Sequence, residues 1–285
     1  MEASRAAHLP NPVNFDRPPV NEVVMGVQFS TPVLNDVTVL TEFWPLVRED
    51  FPRLEKQPAI PPATEDFGVA QTAPSFQIQF GTEGPSPRYW LLSETGTELI
   101  QLQQDRFLIN WRQLQPTDEY PRYAHLRERF LREYGLLRTA LGEARWQTVN
   151  VDLCEISYIN HIPAELDGST IQLSDVLTAV QPFSQEEATV LPQLEDSNLQ
   201  ARFVLRGWDG RSAAPTGRMY LGAGHAVRGA TQENIYALNL LVRGRPSGQT
   251  IEDAIDFFDE ARMLIVRGFR ELTTEGMHQF WGARP

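Results

Sequence analysis

The sequence is poor in the residues that usually carry covalent or metal chemistry. It has one cysteine, five histidines and a single lysine among 285 residues. Cys154 has no partner for a disulfide within the chain, and its strand-like surroundings predict a small buried apolar side chain. The histidines are far apart and lack the short spacings of a metal site, so we expect neither a metal ion nor a cofactor. Lys56 stands outside any phosphate-binding loop, and there is no GxSxG motif, so no catalytic residue is predicted.

Long apolar runs and a basic surface are also missing. No window approaches the ~20 apolar residues that a membrane span requires, and the first 19 residues lack the apolar stretch of a secretory signal. With 25 basic and 37 acidic residues, the formal charge is −12. Binding to nucleic acid or to a membrane surface needs a basic footprint. We therefore expect a cytoplasmic protein that binds neither nucleic acid nor membrane, in a reducing setting that suits the lone cysteine.

Hydrophobic periodicity predicts an arm and then a first series of elements in residues 20–147. Residues 1–19, rich in proline and alanine, are expected to form a flexible arm. A strand is expected over residues 21–29, followed by a helix over 34–50 that Pro45 should kink or end. The remaining predictions for this half are an extended connection (52–74), four strands (75–80, 88–94, 97–103, 106–113) and a helix (119–142).

The second half, residues 148–285, repeats this order. It contains a strand within 146–162, a helix over 173–183, three strands and a final helix over 250–273. Thr250 is a natural N-cap for the last helix. The apolar stripe of that helix has one polar interruption, Arg262. The three strands are expected at 198–208, 217–229 and 233–244.

The repeated order predicts the fold class. Each half reads β-α-β(3-4)-α, so we infer an α+β fold built from two α+β repeats, each with an antiparallel sheet and a long helix packed on it. The two sheets would join edge to edge through strands 21–29 and 148–161, which protects edges that otherwise invite aggregation. In element order such a unit is TATA-binding-protein-like or helix-grip-like, and the two halves together would form one compact pseudo-symmetric unit.

Several strand motifs resemble a family of bacterial proteins. They are PVNEVVMGVQF (19–29), the run from Arg88 to Gln113, YPRYAHLRERF (120–130) and SYINHI (157–162). The family is sporadically distributed, comprises uncharacterised proteins of about 250–280 residues, and has no assigned activity. The resemblance implies an accessory or defence-like role and supplies no catalytic residue or cofactor. Ser157 stands where the family pattern has an arginine.

One group of polar and aromatic residues is a candidate ligand site. Asn110 and Arg112 share one face of a predicted strand, beside Trp111. They would approach Tyr158 and Asn160 if strands of the two halves come together, with His161 as a further candidate near this cleft. A cleft lined in this way suits the recognition of a small molecule or a peptide. The alternative is that Trp111 and Tyr158 are simply core aromatics.

The last segment of the chain is a candidate partner site. Met277, Phe280 and Trp281 lie beyond the predicted final helix, and such residues are favoured at the centres of protein interfaces. The alternative is that they dock onto the protein's own fold.

Two functions stay open on the sequence. The leading hypothesis is a non-catalytic binding or regulatory protein that acts through a protein partner or by self-association, because no catalytic motif is present. The alternative is a small-molecule-binding protein or an enzyme with a cleft between the two repeats. A pair of carboxylates contributed by distant segments would be compatible with the second reading.

Overall fold

A computed structural model describes residues 14–32, 34, 37–67, 87–166, 168–181, 196–208, 210–229 and 231–284. Among them, nine strands form one antiparallel sheet in the order β2-β3-β4-β5-β1-β6-β11-β10-β9. The predicted mixed α+β class with a large antiparallel sheet is therefore confirmed. The strands of this sheet are β1 (Val20–Phe29), β2 (Arg53–Gln57), β3 (Arg88–Leu92), β4 (Glu98–Gln103), β5 (Arg106–Arg112), β6 (Val151–Pro163), β9 (Asn198–Leu205), β10 (Gly217–Val227) and β11 (Asn234–Gly244). A separate short pair consists of β7 (Glu165–Leu166) and β8 (Ser169–Thr170).

The two halves of the chain meet at the centre of the sheet. Strand β1 pairs antiparallel with β6, with Val23 opposite Tyr158, so the predicted junction between these strands is confirmed. On its other side β1 pairs with β5. Gly26 lies in the middle of β1, where a Cβ atom would stand 2.5 Å from the carbonyl oxygen of Phe107. A side chain at this position would therefore push the two central strands apart.

Helices cover one face of the sheet. They are α1 (Val37–Val47), α2 (Arg122–Trp146), α3 (Leu173–Val176), α4 (Ile251–Leu272) and α5 (Glu275–Trp281). Helix α2 contacts β5 and β1, and α4 contacts β6 and β11, so each long helix lies mainly on its own half. Between them, the rings of Phe130 and Phe258 meet edge to face at 5.0 Å. Edge-to-face packing of this kind adds about 0.5–1.5 kcal/mol to the gain from burial.

Local sequence signals account for the start of α4 and for a kink within α2. The Thr250 side chain accepts a hydrogen bond from the Asp253 backbone N–H, and the Asp253 carboxylate accepts one from the Thr250 backbone N–H, which completes a capping box. The predicted cap of α4 is therefore confirmed. Helix α2 contains a kink at Gly142, where φ is 70°, a left-handed conformation that glycine adopts at little cost.

Three predictions for the elements need correction, and a fourth, the strand at 75–80, is not tested. The helix expected over 173–183 consists only of the four residues of α3, and its end at 182–183 lies outside the described residues. Pro45 lies inside α1, which continues for two more residues. The extended connection after α1 contains the edge strand β2. The strand expected at 75–80 lies outside the described residues.

The arm is the fourth correction, as far as it is described. Residues 14–19 are docked onto the fold, because the Asp16 backbone N–H donates to the Gly282 carbonyl oxygen at 3.1 Å. Phe15 is buried among the rings of Phe269 and Trp281. Residues 1–13 lie outside the described part of the chain. Burial of one aromatic ring thus holds the described end of the arm in place.

The face of the sheet opposite the helices is crossed by residues 58–67, which we call the strap. Side-chain amides of the sheet replace the strand pairing that the strap lacks. Gln103 bonds both backbone groups of Ile60, at 2.8 and 2.7 Å. Gln28 does the same with Ala63, at 2.8 and 2.9 Å. The strap therefore runs from the first half of the sheet toward the second.

The end of the strap is fixed by a buried carboxylate. Glu65, with 2% of its side chain exposed, accepts hydrogen bonds from Arg218 at 2.5 Å and from the Tyr220 hydroxyl at 2.6 Å. The Arg218 guanidinium also lies 4.2 Å from the centre of the Phe67 ring. Both hydrogen-bond donors to Glu65 belong to β10, and Arg243 on β11 lies 3.9 Å from its carboxylate, so the strap connects opposite halves of the sheet.

Two further predictions can be compared with the structure. Cys154 is fully buried on the helix face of β6, as expected, and burial raises the pKa of its thiol far above the ordinary value. None of the helices in the described part of the chain combines the length and the apolar character that crossing a membrane would require.

Candidate functional site

The strand register separates the residues of the predicted ligand cleft. Residues directly opposite in an antiparallel ladder point to the same face of the sheet. Val23 lies opposite both Trp111 and Tyr158, whereas Val24 lies opposite Asn110 and Ser157. Trp111, Tyr158 and Asn160 are therefore on the helix face, and Asn110, Arg112 and His161 are on the strap face. The prediction of one cleft with all six residues is wrong, because neighbouring positions on a strand alternate between faces.

On the strap face, Asn110 joins three strands. Its amide N–H donates to the Glu22 carboxylate at 2.6 Å, and its oxygen accepts from Gln101 at 2.6 Å. Burial raises the pKa of Glu22, and the bond from Asn110 opposes that rise. Arg112 donates to the Gly96 carbonyl oxygen at 3.0 Å. These groups satisfy one another and link β1, β5 and β4.

His161 stands apart from that network. Burial lowers its pKa, and the neighbouring Arg228 lowers it further. Its Nδ1 atom is buried and has no hydrogen-bond partner among the described residues. A neutral imidazole is the form that this position favours.

The helix face contains a cavity of about 930 Å³. It opens between the first turn of α2, the C-terminal half of α4, the ends of β1 and β6, and residues 14–19. Two predicted site residues, Tyr158 and Asn160, form its floor on β6. The cavity therefore lies where the two halves of the chain meet.

Aromatic rings form one wall of the cavity. Tyr120 precedes α2, and its ring lies 5.4 Å from that of Trp111 and 6.3 Å from that of Tyr158. The hydroxyl oxygens of Tyr120 and Tyr158 are 3.1 Å apart. Tyr123, one turn along the chain, donates its hydroxyl hydrogen to Asp259 on α4 at 2.7 Å.

The three tyrosines are neutral hydrogen-bonding groups. Burial raises the pKa of each, and the proximity of Tyr158 raises that of Tyr120 further. For Tyr158, the hydrogen bond with Tyr120 and the charge and hydrogen bond of Arg262 act in the opposite direction. A buried phenol stays protonated at physiological pH, since its ordinary pKa is already about 10. The cavity wall thus supplies hydroxyl groups rather than phenolates.

Arg262 lines the cavity from α4. Its guanidinium lies 5.6 Å from the centre of the Tyr123 ring. Its Nε atom is buried without a hydrogen-bond partner in the described structure, Nη1 contacts the sulfur of Met263 at 3.4 Å, and the side chain also hydrogen-bonds Tyr158. No carboxylate among the described residues forms an ion pair with it. The polar interruption in the stripe of α4 is therefore an arginine turned toward a cavity.

Arg122, the first residue of α2, has an unusual backbone. Its φ is 72°, and a residue with a side chain rarely adopts this left-handed conformation. Both terminal nitrogens donate to the Phe15 carbonyl oxygen at 3.3 Å, and the guanidinium lies 5.8 Å from the centre of the Tyr120 ring. Strain of this kind costs of order 1–3 kcal/mol and tends to occur at functional sites. Here it sets a guanidinium at the wall of the cavity.

Positive charge predominates in the lining. The charged side chains that line the cavity are three arginines and one aspartate. Arg284 and Asp16 form an ion pair with each other. Asp259, just behind Tyr123, is bound by Arg127 through contacts of 3.1 to 3.3 Å. Arg122 and Arg262 therefore have no acidic partner among the described residues, and the lining holds an excess of two positive charges.

The terminal segment lies close to this cavity but is docked onto the fold. Trp281 is 2% exposed and packs against Phe269 at 5.0 Å and Phe15 at 5.9 Å. Met277 is also buried, and Phe280 is half-buried beneath the Arg17 guanidinium at 5.6 Å. Of the two readings of this segment, docking onto the protein's own fold is therefore the one that the burial of Met277 and Trp281 supports. Its packing holds residues 14–16 at the cavity wall.

Sequence reasoning missed part of the site. Tyr120 lies just before α2 and Arg122 is its first residue. The apolar stripe that predicts this helix gives no sign that either residue faces a cavity. Arg262 was visible as an anomaly, since a lone charge in a buried stripe requires a partner or a polar space. In the described part of the chain, no three His, Cys, Asp or Glu side chains are grouped as metal ligands would be.

Comparisons with protein-family models, with curated proteins and with solved structures found no match for this chain.

Proposed function

We propose that this protein binds a small organic molecule in the cavity on the helix face of the sheet. The observation that carries the proposal is the cavity itself, about 930 Å³, lined by residues of both halves of the chain. Pockets for small ligands have volumes of roughly 300–1,000 Å³ and combine apolar walls with a few fixed polar groups. This corresponds to the alternative hypothesis from the sequence, a small-molecule-binding protein with a cleft between the two repeats.

The chemistry of the lining favours binding over catalysis. Its polar groups are tyrosine hydroxyls, the Asn160 amide and arginines, while Leu240, Ile265, Val266 and Phe269 supply apolar surface. General acid–base catalysis needs a group that titrates near the working pH. The raised pKa of Tyr120, Tyr123 and Tyr158 makes them poor bases at neutral pH. We therefore propose a non-catalytic binding role.

The architecture supports a duplicated origin for the two halves, which we propose alongside the function. From the central junction outward, the first half places β1, then its last strand β5, and then β4 and β3. The second half places β6, then its last strand β11, and then β10 and β9. The same path in both halves is what a duplicated, TATA-binding-protein-like unit would produce. A cavity at the junction then uses one long helix from each copy.

Binding of a neutral fluorescent probe tests the proposed function. N-phenylnaphthylamine is apolar, uncharged and small enough for the cavity. We expect saturable binding of one probe per protein molecule, with a rise in fluorescence. Val266→Trp, which adds an indole inside the cavity, should abolish it. Arg270→Trp adds the same group at an exposed position of α4 and should leave it unchanged.

Equal binding by both variants and the native protein would contradict the proposal, because the probe would then sit elsewhere. Absence of binding to the native protein would contradict it as well. Circular dichroism of the two variants ensures that loss of binding is not loss of folding. A regulatory role through a protein partner stays a prediction.

A further inference from the structure

We propose that the cavity selects an organic anion, with a flat apolar body against the tyrosines and its negative group at Arg262. This inference rests on the proposed binding function and adds the chemical class of the ligand. It concerns the charge of the ligand, which the size of the cavity alone does not determine.

The first argument is the charge of the lining. The chain as a whole carries a formal charge of −12, yet Arg122 and Arg262 face the cavity without acidic partners among the described residues. The carboxylate in the lining, Asp16, is already paired with Arg284. An acidic protein that concentrates unpaired guanidinium groups in one apolar space disfavours a cation there and favours an anion.

The second argument is the incomplete bonding of Arg262. A guanidinium has five N–H donors in a planar fork that matches carboxylate, sulfonate or phosphate oxygens. Arg262 has a buried, unpartnered Nε, a weak contact with the Met263 sulfur and a hydrogen bond to the Tyr158 hydroxyl that lowers the pKa of that phenol. For comparison, Arg129 lies buried on α2 and donates to Glu133 at 2.8 Å and to the Asn110 carbonyl oxygen at 3.1 Å. The fold thus satisfies one buried arginine and leaves the other with donors to spare.

The third argument is the pair of tyrosine hydroxyls. Tyr120 and Tyr158 are 3.1 Å apart, so one hydroxyl donates to the other. The accepting hydroxyl retains its own hydrogen, which is free to bond a ligand oxygen. Because burial keeps both groups protonated, this donor does not depend on pH in the physiological range. Two cations and a hydroxyl donor therefore converge on one apolar space.

A pair of probes that differ only in charge tests the inference. Anilinonaphthalenesulfonate carries the same two aromatic groups as N-phenylnaphthylamine plus a sulfonate. We expect the native protein to bind the sulfonate at least about tenfold more tightly, since hydrogen bonds to charged groups are the stronger ones. Arg262→Gln should abolish most of that advantage, lowering the affinity for the sulfonate far more than the affinity for the neutral probe.

Two further variants serve as controls. Arg262→Lys keeps the charge without the fork and should retain part of the advantage. Arg270→Gln removes an arginine from the exposed side of the same helix and should change neither affinity. Saturable binding of the neutral probe to every variant demonstrates that the cavity is still formed, so a failure of folding cannot imitate the expected result.

Each remaining outcome is decisive. Equal affinities of the two probes for the native protein would overturn the anion selectivity and leave the proposed binding function standing. An advantage that survives Arg262→Gln would overturn the assignment of the anion to Arg262. If neither probe binds the native protein, the proposed binding function itself is overturned.

Discussion

Replacing Arg262 by methionine should stabilise the protein. Methionine has a similar length and no polar atom, so the variant keeps the packing of α4 and removes the guanidinium. A residue that only supports the fold weakens the fold when it is lost. Replacing a residue that is held in place for a ligand stabilises the fold, because the hydrogen bonding of that residue is incomplete in the ligand-free protein.

The magnitude follows from the contacts of Arg262. A buried donor without a partner costs about 1–3 kcal/mol, and the Nε atom of Arg262 is such a donor. The losses are the interaction with the Tyr123 ring at 5.6 Å, worth about 0.5–1 kcal/mol, and the hydrogen bond to Tyr158, worth about as much. We expect the free energy of unfolding to rise by up to about 1 kcal/mol, the difference between these terms.

Urea denaturation followed by circular dichroism measures this change. Arg129→Met is the matched control, because both arginines belong to long helices that pack on the same face of the sheet. Arg129 is 2% exposed and is paired with Glu133, 1% exposed. Its loss should lower the free energy of unfolding by about 3 kcal/mol, since the buried Glu133 carboxylate would keep only the half-exposed Arg132, at 3.4 Å, as a partner. A loss of stability of more than ~1 kcal/mol in Arg262→Met would refute the reasoning.

Three other predictions concern the rest of the fold. Glu65→Ala should lower the free energy of unfolding by about 3 kcal/mol in urea denaturation, because Arg218 would lose its buried partner; no change would mean that the strap is not anchored there. Cys154 should resist a thiol-specific chromogenic reagent in the native protein and react fully in denaturant, since burial raises its pKa; rapid labelling of the native protein would contradict its burial. Burial raises the pKa of Glu133 despite the nearby Arg129. As the pH falls through that raised pKa, the native protein should gain stability relative to Glu133→Gln, and the gain should level off near the ordinary pKa of 4.5. A gain in stability on raising the pH would contradict this prediction.

Much of the fold could be predicted from periodicity because single strands and long helices carry their own signal. The alternation in 21–29 and the capped stripe of 250–273 correspond closely to β1 and α4. The short α3 was overestimated, since an apolar pattern of this length does not distinguish a helix from irregular structure. The strap carries no pattern at all. It is held by single side-chain bonds such as that of Gln28 to Ala63, between residues distant in the sequence.

The candidate site was harder to predict, because it depends on which side of the sheet each residue faces. Tyr158 and Asn160 were identified, and Arg262 was noticed as an interruption. The grouping of Asn110 and Arg112 with Tyr158 failed because of the strand register. Val23 lies opposite both Trp111 and Tyr158, so Trp111 shares the face of Tyr158, and its neighbours Asn110 and Arg112 point to the other face. The contribution of Tyr120 required knowing that the start of α2 returns to β6.

A crystal structure of the protein with anilinonaphthalenesulfonate tests the central claim most directly. We expect the probe in the cavity between α2 and α4, with its rings beside Tyr120 and Tyr158 and its sulfonate within hydrogen-bond distance of the Arg262 guanidinium. A probe bound on the strap face of the sheet, or a cavity that stays free of probe at saturating concentration, would contradict the claim.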